Sequence, residues 1–171
     1  KTIVFDFDGT VADSLNIFID TYNQLAEKYG YKKADDPDIF RYNSTFNFIL
    51  KELKVPFYRL PFYYFEAKKI FKSRIMEAKA VPGIKPVLDN LSLKYKLGIL
   101  TSNFEKSVQD FITQEDIDDF EFIYSNASIF GKHRDLKKVM KRFKIDKEDL
   151  IYIGDEIRDI KACKKIGVKI I

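Results

Sequence analysis

Thr2-Ile3-Val4-Phe5-Asp6-Phe7-Asp8-Gly9-Thr10 opens the chain with a run of apolar, β-branched and aromatic residues that ends at an Asp-Gly turn. The run reads as a buried strand delivering two carboxylates to its C-terminal end. Leu15, Phe18, Ile19, Tyr22, Leu25, Ala26 and Tyr29 follow at helical spacing, and Gly30 reads as the stop. From Leu97 onward strand and helix alternate. Strands are expected at Leu97–Thr101, Phe120–Tyr124, Leu150–Ile153 and Val168–Ile171. Helices are expected over Glu105–Ile112, around Leu136, Val139, Met140 and Phe143, and up to about Ile166. Strands separated by helices of this length imply βαβ units and a parallel sheet, an α/β class with a Rossmann-like core.

Between the first strand and this alternation, Tyr31 to Ala80 offers no convincing strand. It reads as a helix near Thr45–Lys54, a link punctuated by Pro56 and Pro61, and a helix near Tyr64–Lys79. On that last helix Ala67, Ile70, Phe71, Ile75 and Ala78 share a face. Pro82-Gly83 breaks the pattern, and Pro86 falls in the first turn of the next helix. The expected organisation is a core of residues 1–13 and 81–171, with residues 14–80 inserted after the first strand as a small helical cap. Phe40, Phe46, Phe48, Phe57, Tyr58, Phe62, Tyr63, Tyr64, Phe65 and Phe71 make that cap aromatic, which predicts packing between its helices.

With 171 residues, 46% hydrophobic and 33% charged, the chain has the composition of a folded domain and not of a disordered tail or a collagen. Lys+Arg 30 against Asp+Glu 26 leaves a net charge of +4, with basic residues interleaved among acids. That pattern predicts solvated helix faces and no nucleic-acid partner. The single Cys163 excludes an internal disulfide and fits a reducing compartment. No run approaches the roughly 18 apolar residues of a membrane span, so a cytoplasmic protein without a membrane partner is expected.

In open α/β sheets, ligands gather beyond the carboxyl ends of the strands. Here those ends carry Asp6 and Asp8, Thr101-Ser102-Asn103, Ser125-Asn126, and Asp155. Two carboxylates two residues apart suit a divalent cation, or a nucleophile with an acid/base partner. A calcium loop counted from Asp6 would need Gly at position 11 and Glu at position 17, where the chain has Val11 and Ile17.

Asp6-Phe7-Asp8-Gly9-Thr10, Thr101, Lys132 and Gly154-Asp155 with Asp159 together resemble the four ordered motifs of the haloacid dehalogenase superfamily. The closest similarity is to its small capped phosphatases, such as phosphoglycolate phosphatases and β-phosphoglucomutases. The resemblance implies a Mg²⁺-dependent phosphatase acting on a small phosphorylated metabolite through an aspartyl-phosphate, with a sugar phosphomutase or a regulatory protein as alternatives. It implies Asp6 as nucleophile and Asp8 as acid and base. Thr101, Ser102, Asn103 and Lys132 would hold the phosphoryl group, the first and last as catalytic groups. Asp6, Asp155 and the backbone carbonyl of Asp8 would hold the metal. Asp159 would support the metal's surroundings or orient Lys132. Glu156 reads as a helix-start carboxylate favoured by the dipole.

Overall fold

The structure, a computed structural model, describes residues 1–34, 56–125 and 131–171. These residues fall into two compact units, Lys1–Asp13 with Lys79–Ile171, and Ser14–Ala78.

The first unit is built on β1 (Thr2–Phe5), β4 (Lys96–Leu100), β5 (Phe120–Tyr124), β6 (Leu150–Ile153) and β7 (Lys169–Ile170). They form one parallel sheet in the order β5-β4-β1-β6-β7. Burial on both faces explains why these strands are continuous apolar runs and not alternating ones. Its helices are α3 (Ile84–Ser92), α4 (Glu105–Gln114), α5 (Lys132–Phe143) and α6 (Ile157–Ile166). Val4, Leu100, Leu136, Val139, Leu150, Tyr152, Ala162 and Cys163 form one buried cluster. Phe5 and Phe7 make edge-on contacts with Phe120 and Phe111 at 5.8 and 5.2 Å between ring centroids. Gly98 in β4 leaves the space that the Phe122 ring fills, since a Cβ there would fall 2.2 Å from its tip.

Two short strands, β2 (Ala12–Asp13) and β3 (Lys79–Ala80), pair antiparallel where the chain leaves this unit and returns to it. The sequence pattern puts Lys79 at the end of a helix and offers no strand between Tyr31 and Ala80. Two-residue strands carry no periodicity, so this pairing left no sequence signal. The Glu115 carboxylate fixes β3 from the end of α4, accepting the Ala80 N–H at 3.0 Å and pairing with Lys79 at 3.2 Å.

The second unit contains α1 (Leu15–Tyr29) and α2 (Leu60–Arg74). Gly30 closes α1 in the left-handed conformation at φ 71°, as its position predicts. The helix expected near Tyr64–Lys79 instead begins at Leu60 and ends at Arg74, followed by a single 3₁₀ turn over Ile75–Glu77. Pro61 was read as a break in the chain but sits in the first turn of α2, where its missing N–H costs nothing. Ile19, Tyr22, Leu25, Ala26, Ala34, Leu60 and Tyr63 form the buried cluster of this unit. Among the described aromatics of the expected cap core, Tyr63 is buried. Phe57, Tyr58, Phe62 and Phe65 are instead exposed by 70% or more of their surface. The helix expected near Thr45–Lys54, together with Phe40, Phe46, Phe48 and Asn126, lies outside the described residues.

Candidate active site

Register brings the site together. Phe5, the last residue of β1, pairs with Ile99 of β4 on one side and with Ile153 of β6 on the other. The residues that follow each strand, Asp6, Thr101 and Gly154-Asp155, therefore emerge side by side at one edge of the sheet. Asp6 continues the ladder by donating its N–H to the Ile153 carbonyl at 2.8 Å. The chain then turns tightly. The Phe7 carbonyl accepts the N–H groups of Val11 and Ala12, both at 2.9 Å, and Gly9 adopts φ 76°.

Asp6 is buried, and its Oδ1 accepts the Phe7 N–H at 2.9 Å. Its Oδ2 accepts from Lys132 Nζ at 2.6 Å. The same ammonium donates to Asp159 Oδ1 at 2.5 Å. Lys132 is only 8% exposed and lies over the Tyr152 ring, 5.0 Å from its centroid. It is the first residue of α5, preceded by Gly131 at φ 110°, and not a loop lysine. An ammonium so enclosed needs its carboxylate partners, because an unpaired buried charge is strongly unfavourable.

Asp159 is fully buried in the first turn of α6. Its Oδ2 accepts the Glu156 N–H, while the Glu156 side chain receives the N–H of Asp159 in a reciprocal cap. Glu156 thus serves the helix start, as its position predicts, and also pairs with Arg158. Burial, followed by the negative charge of Asp6, pushes the Asp159 carboxyl above its ordinary range, against the pull of Lys132. Asp155 is raised for the same two reasons in the same order. Its oxygens face protein even though the residue as a whole is exposed. Oδ1 accepts from the Thr10 hydroxyl at 3.1 Å, and Oδ2 lies 2.3 Å from where a Cβ on Gly9 would stand. Gly9 therefore does two things: it makes the turn and leaves room for this carboxylate.

Thr101 is buried at the end of β4, and its Oγ1 accepts the Asn103 N–H at 3.0 Å. Asn103 Nδ2 donates to Asp8 Oδ2 at 2.8 Å. Ser102 lies half-buried between them. Asn103, expected among the groups that hold the phosphoryl group, gives its backbone N–H to Thr101 and a side-chain N–H to Asp8. Three contributors are not evident from the sequence alone. Thr10 stood inside the quoted motif without a role, Gly9 was read only as a turn, and Tyr152 was one apolar strand residue among several.

Asp6, Asp155 and Asp159 each offer a carboxylate oxygen, and these atoms lie within 4.8 Å of one another. Hard oxygen donors suit Mg²⁺, and a cation there would offset both the burial and the Asp6 charge that raise Asp155 and Asp159. Of the three, Asp6 and Asp159 also hold Lys132.

The model of the family described as haloacid dehalogenase-like hydrolase matches residues 3–171. The chain belongs to that family, and it is an enzyme of the hydrolase class. It is 26% identical over 172 residues to a phosphoglycolate phosphatase of Synechococcus elongatus, covering 98% of this chain and 81% of the relative. Two solved structures share the fold. One is a haloacid dehalogenase-like family hydrolase of Streptococcus pneumoniae, with TM-score 0.78 and 23% identity, covering 99% of this chain and 82% of that one. The other is described as a haloacid dehalogenase-like hydrolase of Bacteroides fragilis, with TM-score 0.84 and 22% identity, covering 99% and 85%. Among the described residues no helix is long and apolar enough to cross a membrane.

Proposed function

We propose that this hydrolase is a phosphatase that cleaves a small phosphomonoester through an aspartyl-phosphate on Asp6. The observation that carries this reading is the Asp6 carboxylate held at a strand end, 2.6 Å from the buried ammonium of Lys132. An oxygen of Asp6 attacks phosphorus as the ester P–O bond breaks, and Asp8 gives its proton to the departing alkoxide. Asp8, now a carboxylate, then takes a proton from water. The hydroxide so formed attacks phosphorus, releasing inorganic phosphate and restoring Asp6. Lys132 offsets charge on the transferring group throughout. Thr101 already accepts a hydrogen bond at its oxygen, which leaves its one hydroxyl proton to donate to a phosphoryl oxygen.

Mg²⁺ held by Asp6, Asp155 and the Asp8 carbonyl would supply positive charge that reduces repulsion between the phosphate and the carboxylates. In this reading residues 14–80 act as the cap, favouring small metabolites over phosphoproteins. The phosphoglycolate phosphatase relative makes a small phosphorylated acid the first substrate to test. The test is a panel of phosphomonoesters that includes 2-phosphoglycolate and sugar monophosphates, assayed with Mg²⁺ and with EDTA. Phosphate release that requires Mg²⁺ supports the reading. Isomerised sugar phosphate in place of free phosphate would turn it to a mutase, and no reaction across the panel would overturn it.

A further inference from the structure

We propose that Asn103 is a positioning residue for Asp8, its side-chain amide fixing the plane of the Asp8 carboxyl so that it faces the leaving group. Three links support this. Asn103 Nδ2 donates to Asp8 Oδ2 at 2.8 Å, although the two residues stand 95 positions apart. Asn103 is itself anchored, because its backbone N–H is donated to Oγ1 of the buried Thr101 at 3.0 Å. Thr101 in turn continues the sheet by donating its N–H to the Tyr124 carbonyl at 3.0 Å. The end of β4 thus braces a carboxylate that stands in the turn after β1.

The chemistry of the amide suits the task. An –NH₂ group can only donate, and it does not titrate, so it orients an acid/base carboxyl without competing for its proton. The bond to Oδ2 persists whether or not the carboxyl carries a proton on its other oxygen. Lysine or arginine in this place would hold the carboxylate by charge and oppose its protonation. The inference rests on the phosphatase reading, since it gives Asp8 its acid and base role.

The test compares Asn103→Ala, Asp8→Asn and the double variant with wild type on an alkyl phosphate and on p-nitrophenyl phosphate. The aryl ester leaves without a proton, so a misplaced acid costs it little. Asn103→Ala is expected to lose about tenfold more kcat/KM, which reports the phosphorylation step alone, on the alkyl ester than on the aryl ester, because the hydrolysis step that Asp8 also serves is common to both. KM and competitive inhibition by inorganic phosphate should stay within about twofold of wild type. Adding Asn103→Ala to Asp8→Asn should cost nothing further, because residues that act through one another are not additive. Asn103→Ser provides the same comparison if the alanine variant melts early. Equal losses on both esters, additive losses, or a raised KM with weaker phosphate inhibition would each overturn the assignment; the last would make Asn103 a phosphate ligand. A wild type that cleaves neither ester would overturn the phosphatase reading itself.

Discussion

Asp159 meets Lys132 at 2.5 Å across 27 positions of sequence, and neither side chain is open to solvent. Lysine carries a compact charge on a flexible four-carbon stem, so its aim depends on what it is tied to. Here Asp159 supplies the fixed point, and the ammonium reaches from it to Asp6. Asp159, one ammonium removed from Asp6, thereby decides where the positive charge sits.

Asp159→Ala is expected to lower turnover by about 100-fold, the scale of a misplacement of roughly 1 Å at a catalytic group. Asp159→Asn keeps an acceptor oxygen for Lys132 and should recover about tenfold of that loss. Steady-state kinetics on the two variants checks this. Equal activity in both would show that the hydrogen bond to Lys132 does not matter.

Asp6→Asn should abolish turnover, by on the order of 10³-fold or more, while the fold survives. The amide is nearly isosteric, and Asp159 still pairs with Lys132. Asp155 and Asp159 are raised by burial first and by the Asp6 charge second, and the amide removes the second of these. Thermal melting in EDTA should therefore show a midpoint equal to or above that of wild type. Retained phosphatase activity in a clean sample would remove Asp6 from the mechanism.

Gly9→Ala tests the packing of the turn against Asp155. The φ of 76° is strained for any residue with a Cβ, at a cost of roughly 1–2 kcal/mol, and the new methyl would displace the Asp155 carboxylate. Urea unfolding should show the stability loss. A Mg²⁺ titration of activity should show a midpoint raised about tenfold, in line with a disturbed metal surrounding. An unchanged Mg²⁺ midpoint would detach Asp155 from metal binding.

Glu115 provides a pH signature away from the site. The Ala80 N–H, with smaller help from Gln114 and Lys79, holds its carboxyl below the usual 4.5. A lowered folded value means stability that is complete above the unfolded value and lost as pH falls through the folded one. Glu115→Gln should therefore lower stability by about 1 kcal/mol at pH 7, with the gap closing in acid as the pH falls through the lowered folded value. Paired urea titrations at neutral pH and in acid measure it. A gap that persists in acid would mean packing, not charge, holds β3.

Cys163 sits in the core cluster of the first unit, and burial pushes its thiol up to about 12. A thiol reagent at pH 8 should modify it only at the rate of unfolding, since thiolate and access are both scarce in the native state. Rapid modification of the folded protein would contradict that burial.

Much of this architecture was legible in the sequence because its signals are local. Phe120–Tyr124 and Leu150–Ile153 have the bounds their apolar runs suggest, and Leu15–Tyr29 stops at the glycine that its spacing indicates. What escaped was long-range or too short. The β2–β3 pair has two residues per strand, and the start of α2 hides behind a proline that reads equally as a break or as a first turn. The chemistry-bearing residues were visible as motifs, but their connections were not. Nothing in the order of residues says that Asn103 turns to Asp8, or that Tyr152 lies beneath Lys132, because both contacts arise only when strands far apart in the chain lie side by side.

The middle of the sheet has a consequence for how the protein is made. β1, synthesised before either of its neighbours, aligns Thr2 with Lys96 on one side and with Leu150 on the other. Thr2–Phe5 therefore leaves the ribosome long before either neighbour exists, and an apolar strand without partners is a target for aggregation and for chaperones. A nascent chain released before β6 would hold Asp6 and Thr101 but neither Asp155 nor Asp159. Premature termination should thus yield an inert, sticky product and never a weakened enzyme.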